Sequence, residues 1–148
     1  MSVLTIDEAK LHQKIDHDDE DEDIQEKLEA SESMVAHYIG RNIYSDQASL
    51  ESDFNKIQDI QFNAKNEIEN LALIFEIDSD NHKNTAAQKQ CELNQKILMI
   101  VNGVVLNPHI RAGILLTFGY LYEFREDIGD LPQAAKNVIQ PFRINLGV

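Results

Sequence analysis

The residues with the most obvious capacity for chemistry are the carboxylates clustered near the start of the chain. Residues 16–23 comprise seven acidic side chains and His17. A calcium-binding loop that began at Asp16 would need glycine at its sixth position and glutamate at its twelfth, but those positions hold Asp21 and Lys27. We therefore predict no metal site here. We interpret the run as the solvated start of a helix, where the positive end of the backbone dipole stabilises carboxylates.

The histidines and the cysteine also lack the spacing that catalysis or metal binding requires. No two of the five histidines lie three or four residues apart, and neither Cys-x-x-Cys nor His-Glu-x-x-His occurs. Cys91 falls in the middle of a predicted helix, without the small-residue turn that exposes a nucleophile. The sequence therefore predicts a protein that is not an enzyme and that carries no cofactor.

Composition favours a single, strongly acidic domain. The chain has 148 residues, with 26 acidic side chains against 13 lysines and arginines, so its formal net charge is −13. This charge argues against tight binding to DNA phosphates or to an anionic membrane, because both require clustered basic side chains. The charge is uneven, since residues 1–50 hold 13 acidic and 4 basic side chains whereas residues 108–148 hold four of each. One end of the protein is thus predicted to be solvated and the other packed.

Helical periodicity dominates the front of the chain. Thr5 and Glu8 have the spacing of a capping box, which predicts a short helix that ends near Lys14. A second helix is predicted from the acidic run to Gly40, which supplies a C-terminal stop. Its inward positions recur every three or four residues, at Ile24, Leu28, Ser31, Val35, Tyr38 and Ile39.

The middle of the chain predicts a long helical hairpin. Residues 49–75 carry one apolar stripe, residues 78–84 have the composition of a turn, and a further helix is predicted from Thr85 to about Leu106. A helix of 27 residues is about 40 Å long, more than the diameter of a small domain. We therefore predict an arm, residues 46–106, inserted into a domain that otherwise spans residues 1–148.

The back of the chain predicts a central helix. Asn107 and Pro108 have the types preferred at a helix cap and at the first helical position, and the helix that follows, to about Asp127, is apolar almost all round. Gly113 and Gly119 within it suggest the close approach of neighbouring helices. A last helix is predicted from near Pro132 to just before Pro141. The predicted fold class is all-α: a small helical bundle around this central apolar helix, with the helical hairpin inserted.

Aromatic side chains on the central helix divide between two faces. Phe118 and Tyr122 lie on one face, and Tyr120 and Phe124 lie on another. Both faces could be buried within one subunit, or one could pack on a second subunit, since aromatics and arginine are enriched at interfaces. The candidate intersubunit residues are Tyr120, Phe124, Arg125 and Glu126.

Three segments together resemble the head–tail connector (adaptor, or head-completion) proteins of long-tailed bacteriophages. The first combines Leu4-Thr-Ile-Asp-Glu-Ala-Lys10 with residues 15–21 and 37–41; the second combines residues 102–116 with 119–126; the third combines residues 131–134 with 139–143. The chain departs from the common pattern in having Phe124 where asparagine is usual and Phe142 where tyrosine is usual. Compact members also lack most of residues 46–101.

The resemblance implies a structural role without catalysis. Such proteins assemble as a ring, usually of about twelve subunits, beneath the portal of a DNA-filled capsid, and a closed ring requires two unlike surfaces on each subunit. The partners implied are the portal protein, the stopper or tail-completion protein and further copies of the chain, with no membrane contact. DNA passes through the ring without specific binding. The implied location is the head–tail interface of the virion, after synthesis in the host cytoplasm.

Two sets of residues are candidates for these roles. The acidic side chains Asp18, Asp19, Asp21 and Asp23 are candidates to face the DNA channel, because carboxylates repel phosphate. The short apolar tail of residues 142–148 is the candidate for docking on the portal, unless it merely covers the core of its own subunit. Its candidate contact residues are Phe142, Arg143, Ile144 and Leu146.

A different class of function remains open from the sequence alone. An acidic helical protein can mimic DNA and block a DNA-binding enzyme. Such a mimic would spread its carboxylates over the whole surface, yet residues 108–148 carry no net charge. An enzyme of unrecognised type is a third, weaker reading.

Overall fold

The described residues form helices apart from one short pair of strands. The computed structural model describes residues 2–74, 79–124 and 130–144, and within these ranges the side chains of all but residues 70–74 and 79–86. The elements are α1 (Ile6–Gln13), α2 (Asp21–Ile39), β1 (Ile43–Tyr44), α3 (Gln47–Asn55), α4 (Ile57–Ile74), α5 (Ser79–Val101), β2 (Val104–Val105), α6 (Pro108–Glu123), α7 (Gln133–Ile139) and a 3₁₀ turn (Gln140–Phe142). The predicted all-α fold class is confirmed.

Helix α6 is the centre of the bundle that α1, α2, α6 and α7 form. It packs against the other three helices, and Ile110, Ile114 and Phe118 are fully buried between them. Helix α2 supplies the predicted stripe, of which Leu28 and Val35 are fully buried. The central helix predicted from its all-round apolar sequence is therefore present. It ends at Glu123, so the predicted end near Asp127 falls among residues 125–129, outside the described residues.

The two glycines of α6 mark close approaches, as predicted. A Cβ atom at Gly113 would overlap the side chain of Ile139 in α7, and one at Gly119 would overlap the side-chain amide of Gln13 at the end of α1. Neighbouring helices can thus approach α6 closely because these positions carry no side chain.

The predicted starts of α1 and α6 and the predicted end of α2 are confirmed by their caps. Thr5 and Glu8 form the reciprocal capping box of α1, and Gly40 ends α2 with a positive φ of 69°. Asn107 caps α6 by accepting hydrogen bonds from the N–H groups of His109 and Ile110, both at 3.0 Å. Each signal acts within one turn of helix, so the sequence alone contains it.

The small parallel sheet corrects the prediction that no strands are present and that a helix runs to Leu106. Helix α5 ends at Val101, and β2 then pairs with β1 in the register Ile43 with Val104 and Tyr44 with Val105. The N–H of Val104 donates to the C=O of Asn42 at 2.9 Å. Helices α3 to α5 therefore lie between two strands that hold the beginning and the end of the arm side by side.

The arm also differs from the prediction in its helix boundaries. The single helix predicted over residues 49–75 is two helices, because the first ends at Asn55 and the second begins at Ile57. Helix α5 begins at Ser79 and not at Thr85, so the predicted turn is wrong over residues 79–84. Phe75 and Asp78 lie outside the described residues. The low helix propensity of asparagine and histidine, on which the predicted turn was based, is a weak signal that tertiary context often overrides.

Candidate interaction surfaces

The acidic segment combines exposed carboxylates with ion pairs inside the chain. Asp18 and Asp19 are exposed, whereas Asp21 and Asp23 are half-buried in the first turn of α2. The Asp18 carboxylate lies 2.7 Å from the Lys10 ammonium, which also pairs with Asp21. Three of the four predicted channel-facing residues thus have lysine partners, since Asp23 pairs with Lys27 one turn away.

The ion pair between Asp18 and Lys10 favours the charged forms of both side chains. The hydrogen bond from Lys10 holds the pKa of Asp18 below its usual value, and the carboxylates of Asp18 and Asp21 raise the pKa of Lys10. Beside them lies an open groove of about 390 Å³, which we call the acidic groove, lined by Asp19, Glu20, Glu22, Asp23 and Glu26. This end of the bundle can repel phosphates, although its lysines neutralise part of the charge.

The aromatic residues at the end of the central helix lie in two pairs, and each pair includes a half-buried tyrosine, Tyr122 or Tyr120. Phe118 is fully buried, and its ring lies 6.0 Å from that of Tyr122, whose hydroxyl donates to Glu20 at 2.9 Å. On the other face the ring centroids of Tyr120 and Phe124 are 5.0 Å apart, and Phe124 is 53% exposed. That Tyr120 and Phe124 contact a neighbouring subunit stays a prediction. Their proposed charged partners, Arg125 and Glu126, lie outside the described residues.

The described part of the tail contacts its own subunit. The half-buried Phe142 ring lies 5.8 Å from that of His109, and the N–H of Ile144 donates to the C=O of Ile39 at 2.9 Å. The exposed Arg143 guanidinium lies 4.9 Å from the centroid of the Tyr38 ring. These contacts hold residues 142–144 against the end of α2. Portal docking by this segment stays a prediction, and Leu146 lies outside the described residues.

Exposed apolar side chains on the arm are the feature that sequence reasoning missed. Phe62, Leu98 and Val101 are 65%, 43% and 50% exposed. The half-buried residues where α4 and α5 meet include Ile60, Ala64 and Leu93, so these three exposed side chains lie outside that stripe. Phe62 could have been noticed, because it falls two residues from Ile60 and two from Ala64, off the helical stripe.

The fold defines an all-α helical bundle with an inserted arm. The model of the phage gp6-like head-tail connector protein family matches residues 3–95, and the chain belongs to this family. Searches of curated proteins and of solved structures gave no match. The family match contains the first resembling segment and most of the arm. The second and third segments lie beyond the matched residues.

Family membership gives the general role. The chain is a structural protein of the phage virion that connects head and tail. Its partners are portal and tail proteins of the phage. The family consists of structural connector proteins of the phage. Among the residues that the structure describes, no helix is both long enough and apolar enough to cross a membrane.

Proposed function

We propose that the chain forms a ring of about twelve copies beneath the portal, extends the DNA channel and provides the docking platform for the stopper or tail-completion protein. Membership of the connector family is the observation that carries the proposal. The acidic groove and the contact surfaces of the bundle support it. The DNA-mimic alternative is disfavoured because residues 108–148 carry no net charge, whereas a mimic would spread carboxylates over its whole surface.

The acidic end suits the wall of a channel. Asp18 and Asp19 are exposed, and five carboxylates line the acidic groove, where Lys27 pairs with Asp23; Lys10 pairs with Asp18 beside it. DNA binding gains its free energy from the release of counterions by basic side chains, so such a wall lets DNA pass without adhesion. In this proposal the channel-facing residues are Asp18, Asp19, Asp21 and Asp23.

Other parts of the bundle suit protein contacts. Tyr120 and the exposed Phe124 offer an aromatic surface to a neighbouring subunit, because aromatics are enriched where interfaces exclude water. The tail offers Arg143 to the portal, flanked by Phe142 and Ile144, which the bundle holds in place. The arm, residues 46–106, is proposed as an insertion within a single domain.

Electron microscopy of the purified chain mixed with its portal tests the proposal. We expect an additional ring on the portal face that lies outside the capsid, and we expect the stopper to bind only after that ring has formed. If portal particles show no added density when the chain is present at saturating concentration, the proposed ring is contradicted. Substituting Arg143→Gln should weaken portal binding, whereas Lys56→Gln, an exposed lysine on the arm side, should not.

A further inference from the structure

The bundle has two ends of opposite character, one at each end of helix α2. The hydroxyl of Tyr122, near the end of α6, donates to Glu20 at the start of α2, and this is the acidic end. At the other end, residues 142–144 contact both His109, at the start of α6, and Ile39, at the end of α2. Because α2 has 19 residues, the two ends lie about 28 Å apart. We call the second one the basic end, and it comprises residues 37–41, 107–111 and 140–144.

Acidic side chains are absent from the sequence segments that build the basic end. Residues 33–45, 97–122 and 131–148 contain no aspartate or glutamate. By contrast, residues 16–26 at the acidic end contain eight. A chain of net charge −13 therefore has one end where basic side chains dominate the local potential.

Two arginines of the basic end lack a carboxylate partner. Of the three arginines whose side chains the structure describes, Arg111 pairs with Glu8, whereas Arg41 and Arg143 form no ion pair within the described part of the chain. The carbonyl groups at the end of α2 favour a nearby cation, because the helix dipole is negative there. That weak attraction leaves both guanidinium charges available to an anion from outside the chain.

Arg41 is held by the end of α2. Its backbone N–H donates to the C=O of Ala36 at 3.1 Å, which closes the helix. The side chain is half-buried, and its Nε is enclosed without a hydrogen-bond partner among the described residues. The terminal nitrogens of the guanidinium are not enclosed in this way, so they reach the surface. The charged group is therefore fixed at one edge and accessible at the other.

Arg143 is held by contacts at the same end of α2. Its guanidinium carbon lies 4.9 Å from the centroid of the Tyr38 ring, and the Tyr38 hydroxyl donates to the side chain of Gln140 at 2.6 Å. One residue further on, the N–H of Ile144 donates to the C=O of Ile39 at 2.9 Å. A cation above an aromatic ring is oriented but not neutralised. Both guanidinium groups are thus positioned before a partner binds, which lowers the entropy cost of binding.

The anion that fits the basic end is a protein carboxylate. The planar fork of a guanidinium group matches both carboxylate and phosphate. Tight binding to DNA phosphates needs several basic side chains that release counterions together, and two arginines on a chain of net charge −13 are too few. A carboxylate needs only one arginine, so the basic end suits an acidic protein surface.

We propose that Arg41 and Arg143 receive carboxylate side chains of the portal protein when the chain docks. This inference rests on the proposed docking of residues 142–144 on the portal; it specifies the chemistry of that contact and adds Arg41 to it. The same portal surface repels the acidic end of the bundle. Charge therefore selects which end of the chain faces the portal.

Assembly of charge variants on the portal tests the contact. We expect Arg41→Gln to raise the chain concentration for half-maximal ring assembly at least about tenfold, because it leaves a portal carboxylate unpaired in the contact. The matched control is Lys96→Gln, which removes one positive charge from an exposed lysine of α5 that also forms no ion pair with the described residues. It should assemble at the wild-type concentration. Salt at about 1 M, where the Debye length is about 3 Å, should weaken assembly of the wild type more than that of Arg41→Gln.

The outcomes separate this inference from the proposed function. If Arg41→Gln assembles like the wild type, or loses no more than Lys96→Gln, the carboxylate contact is wrong and the ring stands. If the wild-type chain forms no ring on the portal, the proposed function fails and this contact fails with it. A short DNA duplex that binds the wild type but not Arg41→Gln would assign the arginines to phosphate and overturn the inference. Circular dichroism checks the fold, and Arg143→Gln, at an exposed position, repeats the test if Arg41→Gln alters it.

Cross-linking identifies the chemistry of the partner. A carbodiimide joins an amine to a carboxylate in direct contact, whereas the guanidinium of arginine stays protonated and does not react. Arg143→Lys places an amine at the exposed position of the contact, so assembled rings should yield a product that joins chain and portal through position 143. The wild-type chain gives the background from its native lysines. No product through position 143, or products only with carboxylates of the chain itself, would overturn the contact with the portal.

Discussion

The bundle and the arm bury their apolar residues to very different extents. In the bundle, α6 alone contributes Ile110, Ile114 and Phe118 at 0% exposure. In the described part of the arm, the inward residues of α4 are only half-buried, and Phe62 is 65% exposed. The bundle therefore has a complete core within one chain, whereas the arm has the surface of an element that lacks its final layer. The difference predicts that the bundle, rather than the arm, carries most of the stability of the chain.

The largest expected effect comes from truncating the core of the bundle. Phe118→Ala removes a fully buried ring and should lower the free energy of unfolding by about 3–5 kcal/mol. Phe62→Ala, the same substitution on the arm, should change it by less than about 0.5 kcal/mol, because the ring is mostly in solvent. Urea denaturation followed by circular dichroism measures both. Equal losses from the two variants would contradict the division between bundle and arm.

A smaller effect separates the two glycines of the central helix. Gly113→Ala places a methyl group against Ile139, a fully buried side chain, and should cost about 1–3 kcal/mol. At Gly119 the obstructing atoms belong to the end of the flexible Gln13 side chain, which can turn away. Gly119→Ala should therefore cost less, since alanine also favours the helix by roughly 1 kcal/mol. The melting temperatures of the two variants, measured in parallel, test this ranking. A lower melting temperature for Gly119→Ala than for Gly113→Ala would contradict it.

Removing one helix cap in the bundle and one in the arm compares the stability of the two regions. Asn107→Ala removes the cap of α6 in the bundle and should lower the free energy of unfolding by about 1 kcal/mol. Asp46→Ala removes the equivalent cap of α3, whose carboxylate accepts from the N–H of Ser49 at 2.8 Å. Its effect should stay local, as faster amide exchange in α3 without a change in α6. Global destabilisation by Asp46→Ala would place the arm within the cooperative unit of the bundle.

The smallest expected effect is a dependence of bundle stability on pH. The hydrogen bond from the N–H of Thr5 and the nearby Arg111 hold the pKa of Glu8 below its ordinary value of 4.5. Because the folded pKa is the lower one, this contribution is complete above pH 4.5 and is lost as the pH falls through the folded value. Glu8→Gln should therefore reduce the loss of stability on acidification below pH 4.5. Identical pH profiles of urea midpoints for variant and wild type would exclude the effect.

The sequence was most informative where its signals were local. The capping box at Thr5 and the Gly40 stop each act within a few residues, and the helices they delimit agree with the prediction. The all-round apolar pattern of α6 likewise identified the centre of the bundle. Such features are contained in short windows of the chain, so they need no knowledge of the fold.

The sequence was least informative where distant segments decide the structure. The strands pair residues 43–44 with residues 104–105, about sixty positions away, and two residues are too few for any alternating pattern to appear. The break between α3 and α4 and the start of α5 at Ser79 were also missed, since no glycine or proline marks either boundary in the sequence. The exposed residues of the arm, such as Phe62 and Leu98, could be classified only once the paired faces were known.

Native mass spectrometry of the portal mixed with an excess of the chain tests the central claim most directly. The account predicts one dominant complex that contains the portal and about twelve copies of the chain, with few partly filled species, because lateral contacts make the addition of copies cooperative. Free portal beside free chain, or a few copies bound at random, would contradict a ring-forming connector.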